Sequence, residues 1–88
     1  MKTPSKQNKG MQNMILYHHP ECHLCDEAET LLVTSGLEQH YKKVDIESDL
    51  ELMKRYGIYV PVMARESDGE ELFWPFEQAE LLAFASLE

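Results

Sequence analysis

The chain has 88 residues, with 16 Asp and Glu against 8 Lys and Arg and a formal charge of −8. It can hold one domain with a modest core, and it lacks the clustered cations that nucleic acid or an anionic membrane surface rewards. No stretch approaches the ~20 apolar residues of a membrane span, and residues 1–13 lack the apolar segment of a secretory signal, so the cytoplasm is the expected compartment.

The two cysteines stand three positions apart and close too small a loop to staple a fold. In a reducing compartment such a pair reads as catalytic or metal-binding. The opening MKTPSKQNKGMQN contains three lysines and almost nothing apolar, which suits a solvated tail over residues 1–13 ahead of a domain over 14–88.

From Met14 to His18 the chain is apolar enough for a buried strand, and Pro20 breaks it. A helix is expected near Cys22, with Leu24, Ala28, Leu31 and Leu32 on one face and Gly36 as its stop after Ser35. HYKKVDI alternates as a second strand ending near Ile46. In SDLELMKRYG, Ser48 followed by Glu51 predicts a capping box for a short helix that Gly57 ends. VPVMA and ELFW read as strands joined across RESDGE, whose Asp68-Gly69 pair signals a hairpin. PFEQAELLAFASLE closes the chain as a helix with Leu81, Leu82 and Ala85 inward.

The order is therefore β-α-β-α-β-β-α, an α/β domain. The first two strands should pair in parallel through a right-handed crossover, and the hairpin should add two antiparallel strands, giving a four-stranded mixed sheet flanked by helices. A reactive group in such a sheet sits past the carboxyl end of the first strand, where Cys22 falls. A helix start stabilises a thiolate, which makes Cys22 the attacking sulfur and Cys25, one turn inside, the sulfur that resolves a mixed disulfide.

Other readings of the pair stand beside this one. Zinc would take His18, His19 or His23 with the two sulfurs, although four ligands are usual and a second C-x-x-C is absent. A metal or iron-sulfur carrier sharing its site between two chains, and a non-catalytic binding module with inert thiols, are the alternatives. Trp74 and Phe76 fit the core better than a substrate groove. Glu21, Asp26 and Glu27 oppose a negative sulfur, while His19 and His23 help it only when protonated.

A strand, a C-x-x-C at a helix start and the later Val60-Pro61 opening a strand together resemble the glutaredoxin family of the thioredoxin fold, over roughly residues 14–87. The resemblance implies a thiol-disulfide oxidoreductase with a cis Pro61 facing the first cysteine and a Val60 backbone that receives the substrate's cysteinyl peptide. It places His19 where a Lys or Arg often meets the glutathione carboxylate, and Tyr59 where the family has Thr. Between the cysteines stand His23 and Leu24 instead of a Pro-Tyr type pair, and FWPFEQAEL has no Gly-Gly-Asp type segment. The Trp74-Pro75-Phe76 run is similar to that of a small group of bacterial glutaredoxin-like domains. Implied partners are a protein disulfide or a glutathione mixed disulfide, with glutathione or a thioredoxin reductase as electron donor. No bound cofactor or metal, no nucleic acid, no membrane and a monomeric chain complete the expectation.

Overall fold

The computed structural model describes residues 11–86. Its elements are β1 (Met14–His18), α1 (His23–Thr34), β2 (Tyr41–Asp45), a 3-10 turn (Ile46–Ser48), α2 (Leu50–Tyr56), β3 (Val62–Arg65), β4 (Glu71–Phe73) and α3 (Gln78–Ala85). Most of the expected tail lies outside the described residues. Its last part, Met11, makes a β-bridge with Ser86 and packs on the core.

The strands lie in the order β2-β1-β3-β4. β1 runs parallel to β2, and β3 is antiparallel to both β1 and β4. Alternation along β1 sends its residues to two faces. Met14 and Leu16 join Met63, Ala28, Leu32, Leu37, Leu81 and Ala85 in one core, which places α1 and α3 on that side. Tyr17 instead packs against Val62, Ile46, Tyr56 and Val60, under α2. This is the thioredoxin-like arrangement that the sequence order implies.

Several local rules hold. Gly36 has φ 78°, and the amides of Gly36 and Leu37 bond the carbonyls of Val33 and Leu32. That is the glycine-terminated motif in which the residue after the glycine packs back on the helix, and Leu37 and Leu32 share the first core. The hairpin turns at Gly69, φ 76°, while the Asp68 carboxylate accepts from the Glu70 amide and from Arg65. α3 starts with a capping box in which the amide of Glu77 donates to the Glu80 carboxylate. Helix therefore begins at Gln78, three residues after Pro75, and Phe76 is left as a buried core residue ahead of it.

Three expectations are corrected. The inner stripe of α1 is Cys25, Ala28 and Leu32, and Leu24 is 46% exposed. Both stripes contain Ala28 and Leu32. Cys25 takes the inward place in the first turn because that turn overhangs the end of the sheet and joins the second core cluster. The cap of α2 is Asp49, whose carboxylate accepts from the Glu51 amide at 2.8 Å. Ser48 is consumed by the 3-10 turn, where its hydroxyl donates to the Asp45 carbonyl. Gly57 ends α2 with φ −48°, so it is required by space: a Cβ there would lie 2.6 Å from the Met53 carbonyl oxygen. Leu82 is only half-buried, packed on the first core beside the fully buried Leu81.

Candidate active site

β1 ends at His18, and the chain turns through Pro20 and Glu21 before α1 begins. Glu21 holds φ 59°, a left-handed conformation that costs a non-glycine residue about 1 kcal/mol. Cys22 is then extended and serves as the N-cap of α1. Caps of this kind are usually oxygens, but here the acceptor is sulfur: the Cys25 amide donates to Cys22 Sγ at 3.1 Å. The Cys22 carbonyl accepts from the Asp26 amide. Cys22 Sγ thus accepts a first-turn amide that has no partner within the helix, at the positive end of the helix dipole.

The cysteines form a disulfide with Cα atoms 5.2 Å apart. Their environments differ. Cys22 is partly exposed, whereas Cys25 is 4% exposed and packed with Ile46, Tyr56, Val60 and Val62. Behind them Tyr17 stacks on Tyr56 with ring centroids 4.3 Å apart, and the Tyr56 hydroxyl donates to the Glu71 carboxylate. Burial first and that hydrogen bond second push the Tyr56 phenol well above its ordinary range, so it stays protonated. Tyr56 was invisible as a site neighbour in the sequence, where it only precedes a helix stop.

The Val60-Pro61 peptide is cis, and Pro61 is fully buried. Val60 belongs to the cluster that holds Cys25 and packs with Cys22, and Pro61 follows it in the chain ahead of Val62 of the same cluster. The Val60 amide is already used, donating to the Tyr56 carbonyl at 3.0 Å, and the Pro61 carbonyl accepts from the Trp74 amide. Trp74-Pro75 is also cis, a feature the sequence signalled only as a proline behind an aromatic residue.

Tyr59 points outward at 52% exposure and meets Phe73 edge-on, 5.6 Å between centroids. His19 is half-buried, and its Nδ1 lies 2.7 Å from the Pro20 carbonyl, which can only accept, so that nitrogen carries the proton. His23 is exposed and pairs with Glu27, one turn on, at 3.0 Å. Among the described residues no group of three or more His, Cys, Asp or Glu side chains could hold a metal ion. Among them also, no helix is long and apolar enough to cross a membrane.

Residues 13–85 match the model of the glutaredoxin-like domain family (DUF836). The chain belongs to that family. The crystal structure of protein XcR50 from X. campestris is 37% identical, with a TM-score of 0.73 over 81% of this chain and 92% of that one. The solution structure of XcR50 gives 36% identity and the same TM-score over 82% and 90%. Protein Ne2328 from Nitrosomonas europaea, at 20% identity and a TM-score of 0.70 over 98% of this chain and 100% of its own, shares the fold. No curated protein matches the chain. The likeness to XcR50 agrees with the thioredoxin-like fold, and the structure holds the C-x-x-C pair at disulfide distance.

Proposed function

We propose that the protein is a thiol-disulfide oxidoreductase in which Cys22 is the nucleophile and Cys25 the resolving thiol. The observation that carries this is the asymmetry of the pair: a partly exposed Cys22 sulfur capping α1 and accepting the Cys25 amide, above a buried Cys25. In the reduced protein Cys22 thiolate attacks a substrate disulfide, forming a mixed disulfide and releasing one substrate thiolate. Cys25 then loses its proton to solvent and attacks Cys22 Sγ, which releases the second substrate thiol and forms the Cys22–Cys25 disulfide. Two electrons pass from the protein to the substrate. Two glutathione thiols, which leave as glutathione disulfide, or one protein dithiol, which becomes a disulfide, return them.

Val60 offers its carbonyl to an N–H of the bound substrate, and cis Pro61 keeps that edge beside the sulfur pair. Tyr59 lines the approach, and His19, in the turn ahead of Cys22, borders the bound substrate. The reaction needs no bound cofactor or metal, and a monomer in the cytoplasm suffices for it.

The test is a redox titration of the Cys22–Cys25 couple, together with trapping of a Cys25→Ser variant by a disulfide substrate. A reversible couple and a mixed disulfide mapped to Cys22 are expected. A pair that cannot be cycled without denaturation would sink the proposal. Coupled assays with glutathione reductase and, separately, thioredoxin reductase identify the electron donor.

A further inference from the structure

The site is flanked by two unlike surfaces. On the β4 side lies an apolar shelf formed by Ile58, Tyr59 and Phe73, which are 88%, 52% and 43% exposed. Tyr59 and Phe73 touch, and Phe73 pairs in register with Val62, one residue beyond cis Pro61. The shelf is therefore continuous with the Val60-Pro61 edge. Two large aromatic rings and an isoleucine exposed at one place are more than scattered surface apolar residues.

On the other side lies acid. Glu29 of α1 bonds Tyr41 and Lys43 of β2, which fixes that flank of α1 toward β2. Asp26 shares one surface with Glu29 and Thr30, so it stands on the β2 side of Cys22, and Glu21 immediately precedes the cysteine. Of the five Lys and Arg of the described residues, Lys42, Lys43, Arg55 and Arg65 are each paired with a carboxylate and Lys54 stands on α2, while Glu21 and Asp26 have no ion-pair partner among them. A ligand crossing Cys22 meets uncompensated negative charge on one side and apolar surface on the other.

We propose that this surface receives a disulfide-bearing polypeptide segment with an apolar side chain on one side of its cysteine and a basic side chain on the other, and that it selects against anionic glutathione. The proposal rests on the oxidoreductase reading. The ligand carries a disulfide because the proposed exchange joins Cys22 to a sulfur of the substrate disulfide and releases the other. The apolar residue covers the shelf, its backbone N–H meets the Val60 carbonyl, and the basic residue answers Glu21 and Asp26. Glutathione carries two carboxylates and one ammonium, so it brings net negative charge to the acidic flank and has no side chain for the shelf.

The experiment measures second-order rates at which the reduced full chain reduces mixed disulfides of 2-mercaptoethanol. The partners are short peptides with Cys between Leu and Lys in both orders, the same peptides with Glu for Lys or Ser for Leu, and glutathione. Hydroxyethyl disulfide is the small reference. The better Leu/Lys order should exceed its Glu counterpart and glutathione by roughly tenfold at low salt, and the gap should narrow at high salt. The ratio of the peptide rate to the hydroxyethyl disulfide rate should fall several-fold in Ile58→Ser and Phe73→Ser. It should hold in Val33→Ser, a residue that is likewise exposed but lies about 16 Å along α1 from Cys22.

Equal rates for all peptides, or glutathione as the fastest partner, would overturn the docking proposal while leaving the oxidoreductase reading intact. Absence of exchange even with hydroxyethyl disulfide would overturn both. Sedimentation supplies the remaining outcome: self-association lost in Ile58→Ser assigns the shelf to a second copy and overturns the peptide proposal.

Discussion

The amide of Cys25 points at the sulfur of Cys22 across 3.1 Å, so the two cysteines are joined by a hydrogen bond as well as by their disulfide. Reduction breaks the covalent link and leaves the amide in place. A negative sulfur at Cys22 then receives a charge-assisted hydrogen bond and the helix dipole, while a negative sulfur at Cys25 would be formed inside an apolar cluster.

In reduced protein, iodoacetamide should therefore modify Cys22 at least tenfold faster than Cys25 near neutral pH. Peptide mapping after timed quenching reads the ratio. Faster labelling of Cys25 would reverse the roles assigned to the two thiols.

Glu21 acts on the site in two separable ways, through its carboxylate and through its φ of 59°. Glu21→Gln keeps the conformation and removes the charge, so alkylation of Cys22 should rise by roughly two- to fivefold with stability unchanged. Glu21→Gly also relieves the left-handed backbone and should raise stability by up to about 1 kcal/mol. Denaturant melts alongside alkylation rates distinguish the effects; identical rates in wild type and Glu21→Gln would show that this charge does not govern the thiol.

Glu29 is held below the usual carboxylate range, first by the Tyr41 hydroxyl at 2.7 Å and then by Lys43, against the opposing cost of burial. A lowered folded-state value means that its stabilisation is complete above the ordinary carboxylate range and is lost as pH falls through the folded value. Tyr41→Phe should cost about 1 kcal/mol at pH 7, since the carboxylate is partly solvated, and the difference from wild type should shrink at acid pH. Urea melts at pH 7 and pH 3 measure this. A difference that does not change with pH would assign the effect to packing alone.

The cap of α2 can be tested by paired substitutions. Asp49→Ala removes the acceptor of the Glu51 amide and should cost about 1 kcal/mol, whereas Ser48→Ala loses a hydroxyl bond in the 3-10 turn and should cost less. A larger loss in Ser48→Ala would restore the capping box expected from SDLE.

Gly36→Ala addresses the other end of helix design. Nothing lies within 4 Å of a Cβ at Gly36, so the roughly 1 kcal/mol loss expected comes from φ 78° and not from a clash. Gly36→Asn, which tolerates that conformation better, should lose less. Equal losses in the two variants, read from thermal melts, would contradict the backbone explanation.

Much of this molecule follows from short-range pattern. The C-x-x-C at a strand-to-helix turn, the Val-Pro opening β3, the Asp68-Gly69 hairpin and the glycine after α1 each depend on backbone chemistry within a few residues, and these elements stand where that chemistry puts them. Tertiary packing decided what local pattern leaves equal. Apolar spacing puts Leu24 on the inner face of α1, and only packing of the first turn into the second core cluster turns Leu24 out and buries Cys25. Ser48 is the cap that the local pattern favours, and Asp49 replaces it because the turn after β2 takes the serine hydroxyl. Likewise, the Tyr17–Tyr56 stack beneath the cysteines and the use of the Val60 amide by Tyr56 join residues far apart in the chain or across a turn. Such contacts exist only after two core clusters form on opposite faces of one sheet, because burial there selects among partners that the sequence leaves energetically alike.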